Sequence, residues 1–104
     1  MNNSNEEFCV MTIEPDGSKI WVDKKGYWHR IDGPAYITRD AKAWCYHGRF
    51  HRLDGPAYID SFNNLDYWYV NGFELTKEEF DEWVEVYGNE WNIEREAEFN
   101  LRFR

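Results

Sequence analysis

The sequence predicts a mainly β, α+β fold: serial antiparallel β-hairpin repeats forming one twisted sheet, capped by a C-terminal amphipathic helix. Three observations predict it. A nine-residue motif, His29-Arg30-Ile31-Asp32-Gly33-Pro34-Ala35-Tyr36-Ile37, returns as His51-Arg52-Leu53-Asp54-Gly55-Pro56-Ala57-Tyr58-Ile59, with eight of nine positions identical at an offset of 22. Short β-branched and aromatic runs alternate with glycine-containing turns around both copies. At Leu75 the apolar period changes from two to about 3.6. The chain is read as a single domain, 1–104, with hairpin repeats over 8–75, a capping helix over 76–88 and a tail over 89–104.

The first repeat is degenerate and covers Thr12 to Gly26, with a turn at Asp16-Gly17, a strand at Ile20-Trp21-Val22 and a further turn at Gly26. Ala35-Tyr36-Ile37-Thr38 and Ala43-Trp44-Cys45-Tyr46 suit a pleated surface, as does Tyr67-Trp68-Tyr69-Val70. His47-Gly48 and Asn71-Gly72 read as hairpin turns, where glycine takes a positive φ without steric cost. Trp44 to Gly48 matches Trp68 to Gly72 at an offset of 24; the two extra residues fall in the turn-like stretch Ser61-Phe62-Asn63-Asn64. Two strands cannot bury a face alone, so the hairpins are expected to stack into a continuous sheet.

The Asp-Gly-Pro triplet has a backbone reading. Proline fixes φ and forces the preceding residue to be extended, which Gly33 and Gly55 tolerate before Pro34 and Pro56. Asp32 and Asp54 are expected to accept a bond from a nearby amide and close the turn. Arg30 and Arg52 stand two residues earlier, placed to pair with those aspartates or with the next repeat as a ladder.

The helix is predicted over 77–87. Phe80, Trp83, Val84 and Tyr87 stand at i, i+3, i+4 and i+7. Thr76 and Glu79 form a capping box, Leu75 and Phe80 a hydrophobic staple, and Gly88 a C-terminal cap. The opposite face carries Glu78, Asp81, Glu82 and Glu85, either a solvated surface or an acidic docking face. In the tail, Trp91, Ile93, Ala97, Phe99, Leu101 and Phe103 mostly alternate, which is strand period, while Ile93 to Glu98 has helix propensity. A second helix, an edge strand or a partly disordered tail all remain open, with propensity favouring the helix.

Composition excludes several classes. Six Trp, seven Tyr and seven Phe argue against disorder, and no run is long enough to span a membrane. Met1 to Glu7 is polar and acidic, unlike a signal peptide. Cys9 and Cys45 are far apart and read as free thiols of a cytoplasmic chain. The net charge is −8, with −3 over residues 1–75 (11 acids, 8 bases) and −5 over 76–104 (9 acids, 4 bases). Direct nucleic-acid binding, which needs a basic face, is not expected.

The repeated His-Arg-x-Asp-Gly-Pro-Ala, with Trp and Tyr strands closed by Asn-Gly or His-Gly, resembles a family of small repeat proteins of bacteriophages, similar to MORN-type repeats. The resemblance covers residues 12–75, and Leu75 to Phe80 looks like the helical ending such proteins carry. It implies an interaction scaffold, set in the host cytoplasm, rather than a defined activity.

For chemistry, His29 and His51 with their Arg and Asp neighbours suggest a general base and an electrostatic clamp of a small hydrolase or nuclease. Residues placed once per repeat instead hold the repeat together, so His29, Arg30, Asp32, Gly33, Pro34, His51, Arg52, Asp54, Gly55 and Pro56 are read as structural. Cys45, His47 and His51 have soft-ligand chemistry, with Cys9 or His29 as a fourth ligand, but Cys45 and His47 become Tyr69 and Asn71 in the next unit. No catalytic residue, cofactor or metal is therefore assigned. Alternation puts Trp44 and Tyr46 on one face and Tyr67 and Tyr69 on the face opposite Trp68 and Val70. One helix covers one sheet face only, so some rings are expected to stay exposed as a protein interface. Trp44, Tyr46, Tyr67, Tyr69, Glu78, Asp81, Glu82 and Glu85 are the candidate partner-binding residues. The expected function is a non-enzymatic protein-interaction module that engages a host protein or a second copy of itself; an acidic nucleic-acid mimic is the alternative.

Overall fold

The computed structural model describes residues 8–103, so the Met1–Glu7 segment read above as unlike a signal peptide lies outside the described residues. Among the described residues nine strands precede two helices: β1 (Val10–Ile13), β2 (Lys19–Val22), β3 (Tyr36–Ile37), β4 (Ala41–Ala43), β5 (Cys45–Tyr46), β6 (Arg49–Phe50), β7 (Tyr58–Asp60), β8 (Leu65–Val70), β9 (Phe73–Leu75), α1 (Lys77–Tyr87) and α2 (Ile93–Phe103). A seven-stranded antiparallel sheet runs β1-β2-β3-β4-β7-β8-β9, and β5-β6 forms a separate hairpin. The class is α+β, as the sequence predicts.

The separate hairpin is the second repeat's copy of a feature the third repeat keeps whole. β8 pairs through Leu65, Asp66 and Tyr67 with β7 and through Trp68, Tyr69 and Val70 with β9. β4 and β5 divide the same two tasks, pairing with β3 and β6 respectively, and the break falls at Trp44; the other side of β4 pairs with β7 and joins the two repeats. The hairpin turns have the expected conformation: φ is positive at His47 and Gly48, and again at Asn71 and Gly72.

α1 spans the predicted residues. Thr76 Oγ1 accepts from the Glu79 amide while the Glu79 carboxylate accepts from the Thr76 amide, and Gly88 at φ 69° donates its N–H to the Val84 carbonyl. The apolar stripe buries Phe80 and Trp83 with Leu53, Val70, Leu75 and Phe99 in one core. The tail is the second helix. Asn92 caps it, its carbonyl accepting from the Glu96 amide and its side chain from the Arg95 amide. The alternation of apolar residues reports no strand, because α2 buries only Phe99, leans Phe103 on the core, and leaves Ile93 and Leu101 more than four-fifths exposed.

A second core holds Ala35, Ala43 and Cys45 under Trp21, Trp28, Tyr36, Phe50 and Tyr58. The small residues are what the aromatic rings need: Tyr36 and Tyr58 both stand opposite Ala43 in the ladder and flank it. The molecule is accordingly a slab, 43 × 41 × 19 Å. Among the described residues no helix is long and apolar enough to cross a membrane.

Phe99 ties α2 to the rest through ring contacts with Phe73, Trp83, Trp91 and Phe103. Phe99→Ala is expected to cost about 3–5 kcal/mol in urea unfolding, whereas Leu101→Gln, at a solvent-facing position, is expected to leave the midpoint unchanged within error.

Candidate functional site

The repeated loops are built around arginine. The Arg30 guanidinium lies 3.9 Å over the Trp21 ring, its Nε donates to Asp32 Oδ1 at 3.2 Å and its Nη1 to the Pro34 carbonyl at 3.1 Å. Arg52 repeats this on Trp44 at 3.7 Å, with Asp54 Oδ1 at 2.8 Å and the Pro56 carbonyl at 3.0 Å. The aspartates therefore pair with arginine and not with a turn amide as expected, and of the two arginine partners considered the one within the loop is taken. The glycines serve a second purpose beyond tolerating the residue after them. A Cβ on Gly33 would stand 3.0 Å from the Arg30 Cζ, and one on Gly55 2.8 Å from the Arg52 Cζ. Glycine leaves the room in which the guanidinium lies flat.

The histidines couple one repeat to the next. His29 Nδ1 accepts the His47 amide at 2.9 Å, and His51 Nδ1 accepts the Asn71 amide at 2.9 Å. In each case the ring accepts from a turn amide. A nitrogen that accepts carries no proton, so the neutral ring keeps its hydrogen on Nε2. His29 is fully buried and stacks on His47 at 3.8 Å, and His47 Nδ1 meets the buried Asp23 carboxylate at 2.7 Å. Burial alone would raise the Asp23 carboxyl, but bonds from His47, Tyr27 and Lys25 outweigh it and hold the group below the usual carboxylate range. Burial pushes His51 down from 6.5 to about 4 and the Cys45 thiol up to about 12, so both stay neutral near pH 7. The His29 and His51 rings are acceptors set in the scaffold. Among the described residues no group of three or more His, Cys, Asp or Glu is placed to hold a metal ion.

The two loops lie side by side and form a groove of about 720 Å³, within the range of ordinary ligand sites. Arg30, Asp32, Gly33 and Pro34 line one wall, and Arg52 and Asp54 line the other. Trp44, Tyr46 and His51 line it between them, and Trp91 and Asn89 join from the α1–α2 connection. Tyr46 sits 5.0 Å from the His29 ring and 6.0 Å from the His51 ring, and His51 is 4.7 Å from Trp91. Trp91 and Asn89 were not candidates in the sequence; the only signal was that Trp91 closely follows the helix-ending Gly88. Gly55 and Pro56 shape the loop without lining the groove.

The other candidates lie elsewhere. Tyr67 and Tyr69 occupy the opposite face, in a row of rings linking Tyr67 to Tyr58, Tyr58 to Phe50 and Phe50 to Tyr69. Trp44, Tyr46, Tyr67 and Tyr69 are half-buried rather than exposed, because the guanidiniums and neighbouring rings cover them. Glu78, Asp81, Glu82 and Glu85 are exposed on α1, but Asp81 pairs with Lys77 and Glu82 with Arg102 of α2. No family model, curated protein or solved structure matches the chain.

Arg52→Lys is expected to lower stability by about 1–2 kcal/mol in thermal or urea unfolding, since an ammonium cannot lie flat on Trp44 and bond Asp54 and Pro56 together. Gly55→Ala acts in the same direction by lifting the same guanidinium. For His51, the unfolded chain binds a proton near pH 6.5 and the folded chain only near 4. The contribution of its neutral ring is complete above the higher value and is lost as pH falls through that window, by on the order of 3 kcal/mol. His51→Gln is expected to flatten the stability–pH curve between those values relative to the unsubstituted chain.

Proposed function

We propose that this chain is a non-enzymatic protein-interaction module whose groove receives an extended, basic segment of a partner protein. One observation carries the reading: the groove's cations are turned inward and its anions outward. The Arg30 and Arg52 side chains are 24% and 20% exposed, while the paired Asp32 and Asp54 side chains are 87% and 68% exposed. Each carboxylate uses Oδ1 on its arginine and leaves Oδ2 for a ligand. Beside them stand the rings of Tyr46 and Trp91, which favour the aliphatic stem and charge of lysine or arginine. The net charge of −8 steers the same class of partner.

The resemblance of the repeat to MORN-type repeats supports a scaffold role, in which the setting is a phage accessory protein acting on a host protein in the host cytoplasm. The nucleic-acid-mimic reading has less behind it. Lys77, Arg95 and Arg102 interrupt the acidic surface by pairing with Asp81, Glu98 and Glu82, whereas a mimic needs a continuous run of anions.

A random peptide library panned on the immobilised protein tests the proposal. Lysine- and arginine-rich sequences are expected to be enriched, with binding that weakens as salt rises. The double variant Asp32→Asn, Asp54→Asn is expected to lose at least tenfold in affinity while keeping its unfolding midpoint within a few degrees. Enrichment of acidic or purely apolar peptides, or full binding by the double variant, overturns it.

A further inference from the structure

We infer that the chain forms a homodimer by pairing the outer edge of β1 with β1 of a second copy, antiparallel about a two-fold axis. The sheet has two edges and they are unlike. At β9 the chain runs directly into α1, and Leu75 packs with Phe80 in the helix-covered core. β1 is the other edge. Its sequence, Val-Met-Thr-Ile, has neither charge nor proline, and all four residues are exposed. Edge strands of monomeric proteins are blunted by such groups because an open edge templates further pairing.

The register shows which main-chain groups are open. The Trp21 N–H donates to the Ala35 carbonyl and the Trp21 carbonyl accepts from the His29 amide, so both face away from β1. Met11 is the partner of Trp21 and Ile13 that of Lys19. Partners in an antiparallel pair alternate between bonded and non-bonded, so Val10 and Thr12 bond to β2 while Met11 and Ile13 turn N–H and C=O outward. Among the described residues nothing bonds to them. The row ends at Pro15, which has no N–H to give.

An open row of alternating donors and acceptors demands an extended strand. A second copy supplies one with the same spacing and the same apolar side chains. With Met11 on the axis, Met11 bonds Met11 of the second copy, and Cys9 bonds Ile13 in both directions. The seven-stranded sheet then continues across the axis, and the interface is self-complementary, as two-fold contacts must be. The contact carries no charge, while two chains of net charge −8 repel, so dimerisation is expected to strengthen with added salt, opposite to binding in the groove.

The experiment is sedimentation equilibrium over a concentration series reaching the millimolar range. The intact chain is expected to pass from 12.7 kDa to twice that mass. Met11→Pro removes one outward N–H and no bond of the β1–β2 ladder. It is expected to stay monomeric with its unfolding midpoint little changed, whereas Val10→Pro, which removes a bond to Val22, lowers that midpoint. Ile13→Lys, a side-chain change at an exposed edge position, is expected to be monomeric as well and serves if proline disturbs the strand. An intact chain that remains monomeric throughout, or a Met11→Pro and Ile13→Lys pair that both still dimerise, overturns the proposal.

Discussion

One hydrogen bond, made twice, sets the spacing of everything else. A histidine of each repeat accepts the main-chain amide of the left-handed turn residue in the next repeat, from His29 to His47 and from His51 to Asn71. A residue with positive φ points its amide out of the hairpin, where the hairpin itself cannot satisfy it. The imidazole of the preceding repeat does so from a fixed distance. The next glycine amide is taken by the same repeat, Gly48 by the Trp28 carbonyl and Gly72 by the Phe50 carbonyl. Even the turn side chains are held from behind, His47 by Asp23 and Asn71 by Arg49. Each hairpin therefore depends on the one before it for the polar groups its own turn leaves open.

The chain of dependence has to stop, and it stops by a change of chemistry. The Trp44-to-Trp68 correspondence places Leu75 where the first two units have His29 and His51. No fourth hairpin follows, so an acceptor at that position would have no donor. Leucine instead packs into the core that α1 and α2 complete. The arginine position becomes Thr76, and its hydroxyl caps the helix. The same two sites that join repeats thus become the staple and cap that end them. Among the described residues the N-terminal side has no equivalent, and β1 is the edge strand there.

Repetition also explains why the groove exists. Each Arg–Trp stack needs a glycine beneath it and an aspartate beyond it, and this pushes the aspartate to the rim. Two such loops in adjacent units make parallel rims, with the intervening strand lining the groove between them. A surface charge pattern arises from a packing requirement, and a groove on such a scaffold needs only a third element to close it. The α1–α2 connection provides Trp91 in that place.

Local chemistry was legible in the residues. The hairpin turns, α1 with both its caps, and the separation of Tyr67 and Tyr69 from Trp68 and Val70 follow from rules that act within a few positions, and the structure keeps them. In the tail, propensity over 93–98 favoured the helix that is found, but the period pointed to a strand, because Ile93 and Leu101 carry an apolar signal the core does not use; α2 is fixed by Phe99 reaching Trp83 and Phe73 across the fold. The direction of the histidine bonds, the guanidinium beneath each glycine and the half-burial of the candidate rings likewise arise between residues far apart in the chain. Sequence by itself determined where strands turn and where a helix begins, since those depend on backbone torsions and near neighbours. Only tertiary structure decided which face a ring shows and which partner a polar group takes, since those depend on what the next repeat puts against it.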